Sequence, residues 1–455
     1  MLVAVEEAES DGFSGNILNI VTPKGTGIEV GYVKNFEHYR FLLDSYASGG
    51  LPALQVRETA LLGDGLSRSA VIDSVDYLPG QVPQLGQQVV LIEANKIEGD
   101  YFLQRGVSGA SGVNLLLDYG LGLENVGGRQ RLLATLNGVN AHPQMESPSQ
   151  GRSAGLSFVT QGTEFLINHN MNASMGSGFT DPCPGAFFST SAGRSRYGSG
   201  SIYDLNSYMG LVGLDCTTYL EGGALTMGGF LELGLGDYEA KANLGGRLVR
   251  GEGDLRRIGG GIMAHFEFDS PRSDRYYVDS SLRVGQLRQD YSSDDFQNSQ
   301  DRAKFNTTSL YFGGHVGLGR NFILPSGNQV DLYGRYAFTY LQGDSALVDG
   351  SAPVEFKAAK SHVGRVGASY SGNVSPRWRL RAGLGYEQEF GGRTKASTSG
   401  RRINDVDVSG GTAVGEFGVA FKNIGGKPVS LGLSVEGYAG RRKGLAGGLN
   451  LTIAF

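Results

Sequence analysis

The chain has 455 residues, 73 of them glycine, with 19% charged residues and a formal net charge of −5. The glycines follow no three-residue period, which excludes collagen, and no apolar run of roughly 18 residues occurs, so no membrane-spanning helix is expected. The charge balance argues against a nucleic-acid partner.

The opening stretch, Met1–Ser10, lacks a basic region followed by an apolar core and a cleavage site, so it does not read as a secretory signal. An exported protein with this start is expected to be part of a longer product or to have a misassigned start. Residues 1 to about 148 hold short apolar runs, Gly27–Val33, Tyr39–Leu43, Gln87–Ile92 and Gly112–Leu117, separated by Gly, Pro, Asn and Asp. These predict short strands and turns, with Leu78–Gly86 turning into a strand over Gln88–Ala94. The end of a stacked β-solenoid and a small β-sandwich both fit, and no period names a repeat length. His142–Arg152, rich in Pro, Ser, Gln and Gly, reads as a linker.

A helix is predicted over 153–172. Ser153 is its candidate cap, and Leu156, Val159, Leu166 and Ile167 fall at helical spacings, with Phe158 and Phe165 one repeat apart. Gly162 argues against it, and Asn168, Asn170 and Asn172 close it. Such a helix either packs on the outside of a sheet or threads a barrel lumen.

Twelve alternating segments follow: 183–197, 203–218, 222–239, 256–268, 274–290, 306–322, 329–342, 354–370, 377–390, 406–422, 429–440 and 443–455. The even number and the length suit a membrane β-barrel, whose strands need about nine or more residues. Connections such as Glu221-Gly222, Ser270-Pro271, Pro325–Gly327, Ser375-Pro376 and Gly425–Pro428 are short. Asn243–Leu255, Tyr291–Phe305, Gln342–Pro353 and Gly391–Val406 read as long loops, which belong on the opposite, outer rim. The last segment alternates Leu449, Leu451, Ile453 and Phe455 with Gly448, Asn450, Thr452 and Ala454. A strand with no following turn must pair, and closing a ring leaves no edge.

The faces sort as well. Leu380, Ala382, Leu384 and Tyr386 alternate with Arg381, Gly383, Gly385 and Glu387; Leu431, Leu433 and Val435 alternate with Gly432, Ser434 and Glu436. One face is oily and the other mixes charges with glycine, which suits a wet lumen. A soluble barrel would produce the same alternation with the faces exchanged. The lumen candidates are Arg283, Arg335, Arg365, Arg381, Glu387, Glu389, Glu416 and Glu436. They either balance one another and hold strand register, or form a hydrophilic track for a translocating or resident segment.

A hairpin turning at Gly198–Ser201 places Cys183 nearly opposite Cys216, so a disulfide near the periplasmic rim and two separate buried thiols are both open. The six histidines show no metal-ligand spacing, and neither GxSxG nor a phosphate-binding glycine loop occurs. No catalytic group, cofactor or metal is expected. Glu387 and Glu389 share a face because they are two apart, which alternation explains. Acid–base proteolysis by a lumenal residue such as Asp279 is the enzymatic alternative.

Three stretches in order, Ser361–Ala368, Leu384–Gly392 and Val435–Gly444, followed by the terminal Phe455, resemble the β-domain of bacterial autotransporters, the type V secretion translocators. The resemblance implies an all-β, twelve-stranded antiparallel transmembrane barrel with a lumenal N-terminal helix, preceded by a small solenoid-end-like region. It divides the chain into a passenger remnant (1–148), a linker and pore helix (149–180) and the barrel (181–455). It implies an outer-membrane monomer that exports or displays its own passenger at the cell surface and acts as no enzyme. Its partners would be outer-membrane lipid and the barrel-assembly machinery, which would read Phe455. Some relatives cut the helix between adjacent Asn residues; here Asn168, Asn170 and Asn172 are never adjacent. A porin-like channel, or an adhesin fragment in which 1–148 does the binding, are the alternatives.

Overall fold

The computed structural model describes residues 15–22, 27–44, 50–63, 68–78, 81, 83–99, 107–176, 185–198, 202–244, 247–270, 274–297, 302–422 and 424–454, with backbone alone for 169–176, 244, 426 and 454. The N-terminal strands are β1 (Ile17–Val21), β2 (Ile28–Val30), β3 (His38–Leu43), β4 (Leu54–Val56), β5 (Thr59–Leu61), β6 (Val71–Tyr77), β7 (Gln88–Ala94), β8 (Lys96–Glu98), β9 (Val107–Ser111), β10 (Leu115–Val126) and β11 (Arg129–Ala141). They coil. β1, β3 and β6 stack in parallel, Ile17 beside His38 and His38 beside Val71. β2, β4 and β7 form a second parallel stack, and β5 with β8 a third. Alternate side chains point into the coil, so Leu18, Ile20, Tyr39, Phe41, Leu54, Val75, Leu91 and Leu117 share one dry core. This is a solenoid, not a sandwich. The hairpin of β10 and β11 ends it by lying antiparallel on β9 and β7.

The stretch predicted as a linker is helical instead. A 3-10 turn, Pro143–Met145, leads directly into α1 (Glu146–Gly176). Pro148 is tolerated because a helix's first turn has no intrahelical use for its amides. Ser153 is therefore not a cap but a buried mid-helix residue.

Twelve strands then close a ring: β12 (Gly185–Gly198), β13 (Ile202–Leu220), β14 (Gly223–Leu244), β15 (Arg247–Phe268), β16 (Asp274–Ser293), β17 (Ala303–Ile323), β18 (Gln329–Leu341), then, after β19 (Asp344–Val348) and β20 (Ala352–Phe356), β21 (Ala359–Ser375) and β22 (Trp378–Glu389), then, after β23 (Arg393–Thr394), β24 (Ala396–Thr398), β25 (Arg401–Arg402) and β26 (Val406–Asp407), β27 (Gly410–Phe421), β28 (Val429–Gly440) and β29 (Arg442–Ala454). Each pairs antiparallel with the next, and β29 pairs with β12 from Arg442 opposite Tyr197 to Ala454 opposite Gly185. Several segments differ from the sequence reading: the predicted loop Tyr291–Phe305 is paired strand at both ends, Tyr291 opposite Phe305 and Ser293 opposite Ala303, and the strand predicted from 406 joins the barrel only from Gly410. The described residues of Asn243–Leu255 are strand rather than loop, because β14 and β15 stay paired up to Leu244 opposite Arg247. Their outward residues there are charged, Glu239, Lys241, Arg250 and Glu252, so the oily alternation stops while the pairing continues. The eighth barrel strand is Ala359–Ser375, shifted from 354–370, because Ala352–Phe356 pairs elsewhere.

It pairs in a collar. The long connections fold into a four-stranded sheet, β19-β20-β24-β25, rather than free loops. Val348, Val354, Phe356, Ala396 and Ile403 of the collar join Phe296 and Val249 in one apolar cluster with Val113 and Met145 from the solenoid end and helix start. Asn114 Nδ2 donates to Thr398 Oγ1 at 2.8 Å, and Gln144 Nε2 donates to the carbonyl oxygens of Val113 (2.6 Å) and Gln297 (3.1 Å). At this joint His142 Nδ1 accepts from the Gln144 amide at 3.3 Å.

Burial, and then the positive charge of Arg247, push the His142 ring down from 6.5 to about 4. The folded joint thus holds fewer protons than the unfolded chain in that window. Its stability is complete above pH 6.5 and declines as pH falls toward about 4. Hydrogen exchange over residues 143–147, corrected for intrinsic rate, should quicken across this window in the native chain and not in His142→Gln. Equal protection at both ends of the window would refute the coupling.

Candidate functional site

Alternation puts two unlike surfaces on the ring. The outward set includes Leu231 (66% exposed), Leu233 and Leu235 on β14, Ile258 and Ile262 on β15, Leu282 and Val284 on β16, and Leu384 (75%) on β22. Exposed Tyr219, Phe268, Tyr276, Tyr370 and Trp378 stand near the short turns. An apolar belt with aromatics at its edge, on strands with no free edge, is a lipid-facing wall. The inward face is polar, and α1 fills it.

The helix is seated by charge. Arg257 Nη1 donates to the carbonyl oxygens of Phe158 (2.9 Å) and Val159 (3.3 Å), and Arg283 Nη2 donates to Val159 O at 2.9 Å. Glu232 balances both guanidiniums, 3.3 Å from Arg283 and 3.7 Å from Arg257, and accepts from the Tyr311 hydroxyl at 2.6 Å. Two arginines and one carboxylate with no access to water would be costly alone. Here each has a partner of opposite charge, and one nitrogen of each arginine also reaches a helix carbonyl. Gly162 permits this, because a β-carbon there would collide with the Arg257 guanidinium. Gly151 and Gly155 do the same beside Tyr238 and Gln289, where added β-carbons would sit 2.6 and 2.8 Å from side-chain atoms. The residue that argued against a helix is the one that lets it fit.

Other helix side chains reach the wall. Arg152 donates to Ser309 Oγ (2.9 Å) and to Gln342 O. Ser157 meets the Tyr203 hydroxyl at 2.7 Å, Gln161 donates to the Tyr197 hydroxyl at 3.0 Å, and Glu164 pairs with Arg442 at 2.5 Å. Most helix residues from Ser147 to Leu166 are buried, polar ones included.

The sequence-derived lumen candidates are placed as follows. Arg283 holds the helix. Arg365 lies 3.7 Å from Glu436 and 4.0 Å from Glu416, and Arg381 lies 3.4 Å from Glu416 and 4.0 Å from Asp331. Arg335 stands 3.9 Å from Asp279, and Glu387 lines a small cavity with Glu164 and Arg442. Glu389 lines the same cavity. It is half-buried, and its Oε1 accepts from the amides of His362 (2.9 Å) and Gly391 (2.8 Å), closing the top of β21 and β22. Sequence reasoning missed Glu232, Arg257, Glu164 and Arg442. The pattern Leu231-Glu232-Leu233 carried a signal for the first, since a charge between two outward leucines must point inward. Glu164 could not be assigned to a wall partner without the register.

Asp279 belongs to a chain in which Ser281 Oγ meets His315 Nδ1 at 2.5 Å and His315 Nε2 meets Asp279 Oδ1 at 2.7 Å. The His315 side chain is fully buried and Ser281 nearly so, which leaves no room for a substrate between them. Among the described residues no group of three or more His, Cys, Asp or Glu could hold a metal ion. Cys216 faces outward on β13, while Cys183 and Phe455 lie outside the described residues.

The family model for the autotransporter beta-domain matches residues 186–436, more than half of the chain. No curated protein matches. The chain is similar to several solved structures. The β-domain of the Bordetella autotransporter BrkA shows 20% identity over 60% of this chain and 100% of its own, at a TM-score of 0.47. The translocator domain of NalP from Neisseria meningitidis shows 14% over 67% and 99%, at 0.48. The transport unit of AIDA-I from Escherichia coli shows 12% over 69% and 99%, at 0.48. The chain belongs to the autotransporter β-domain family: it is an outer-membrane translocator and anchor of the type V secretion class.

Proposed function

We propose that residues 1–148 are the end of a passenger that stays attached and displayed, that 149–180 carry the plug, and that 181–455 are the anchoring barrel. The observation that carries this is the seating of α1 by Arg257, Arg283 and Glu232. A helix held by its own backbone carbonyls occupies the pore in a resting state rather than passing through it. The lumenal arginines and carboxylates around Arg365, Arg381, Glu416 and Glu436 then serve as a polar wall against which a hydrated segment slides during export. The collar holds the solenoid end at the outer mouth. The final strand, with Phe455, is the part that the barrel-assembly machinery would engage, and the barrel acts as a monomer. Cys183 and Cys216 form a disulfide at the periplasmic rim.

Planar-bilayer recording tests the plug. The native chain should conduct little, and deletion of 153–172 should raise conductance severalfold. Unchanged conductance would favour a porin-like channel. Gly162→Val, which displaces Arg257, should lower unfolding stability by about 3 kcal/mol, the scale of a broken buried ion pair, with a smaller rise in conductance. Protease treatment of intact cells should remove 1–148 from a full-length chain and spare the barrel; a chain already cut before treatment would sink the attached-passenger reading. Thiol alkylation without reductant should leave both cysteines unlabelled, whereas full labelling would exclude the disulfide.

A further inference from the structure

Among the described residues, a large hollow lies on the outside of the ring, away from the lumen. It spans the seam at which β29 meets β12, with a volume of about 770 Å³. The seam strands are bare there. Ala192 on β12, Gly210 on β13 and Gly447 on β29 face outward, while Tyr208 and Leu235 wall one flank and Phe417 and Val435 the other. Nothing lies within 4 Å of a β-carbon placed on Gly210. In a bilayer such a recess fills with hydrocarbon, because an empty one forfeits dispersion contacts on every side.

The charges above it are arranged to match. β12 runs upward from Ala192 through Arg194 to Arg196, and Arg196 is paired across the seam with Lys443. Arg194 stands two residues beyond Ala192 on the same face, about 7 Å higher. The nearby carboxylates are engaged: Asp204 by Arg196 at 2.7 Å, Asp237 by the Asn206 amide at 2.7 Å, and Glu239 by Lys241 at 3.1 Å. Arg194 and Lys443 are exposed, and among the described residues neither has an ion-pair partner. They lie toward the collar end of the ring, the outer-leaflet side of the belt. Two exposed cations above an apolar recess form a site for an anionic headgroup with its chain below.

We infer that the β29–β12 seam binds a phosphorylated lipid of the outer leaflet, one acyl chain filling the hollow and its phosphate held by Arg194 and Lys443. Such a ligand covers the pairing that closes the ring. The inference rests on the barrel standing in the outer membrane, which envelope fractionation and heat-dependent gel mobility check independently of lipid retention.

Native mass spectrometry of the full chain in non-ionic detergent tests it, with diphosphorylated lipid A and phosphatidylcholine as probes. The native chain should retain lipid A and not phosphatidylcholine. The double variant Arg194→Gln with Lys443→Gln should lower the bound fraction about tenfold or more. Gly210→Leu, which fills the hollow without touching the lumen, should lower it comparably. Equal retention of both lipids, or retention unchanged in either variant, would overturn the inference. So would a complex of two protein chains without lipid.

Discussion

The pairing of β29 with β12 is the contact on which everything else depends. In hydrocarbon no water takes up an unmet amide or carbonyl, and each one costs several kcal/mol. A twelve-stranded sheet left open would carry two such edges. Once Gly185 lies opposite Ala454 and Tyr197 opposite Arg442, the backbone is satisfied around the ring. The side chains then have only two places to go. The apolar set meets lipid, and the charged set is confined to a narrow interior.

That interior sets the second constraint. Arginines and carboxylates packed at this density must neutralise one another or hold something that does. Arg365, Arg381, Glu416 and Glu436 neutralise one another. Arg257 and Arg283 outnumber Glu232, and one nitrogen of each is met by the carbonyls of Phe158 and Val159. Glycine makes the approach close enough. On the wall, a β-carbon at Gly234 would come 2.8 Å from Arg257 and 2.9 Å from Phe158; on the helix, Gly162 leaves the same guanidinium its path. Part of the chain's glycine content is therefore a packing requirement of a helix inside a ring.

At the outer mouth the same economy of space joins the two halves of the molecule. The long connections gain an apolar core of their own only by including Val113 and Met145, which belong to the solenoid end and the helix start. The collar, the last hairpin of the solenoid and the first turn of α1 thus order one another. Gln144 shows this at one residue, tied to Val113 on one side and Gln297 on the other.

Period-two alternation determined the barrel, its strand number and which residues share a face, because a strand exposes its two faces in strict turn whatever its neighbours are. It also singled out Arg283, Arg365, Arg381, Glu416 and Glu436 as members of one face. Alternation could not say where Asn243–Leu255 stops being strand, since above the lipid both faces are free to be polar. Nor could local sequence separate a linker from a helix at His142–Arg152. Glycine, proline and serine there weaken a helix in water, and only burial on every side by the ring makes them suitable. The joining of Glu232 to Arg257, Arg283 and Val159 was decided by closure alone. It brings together residues from α1, β14, β15 and β16 that no spacing along the chain relates.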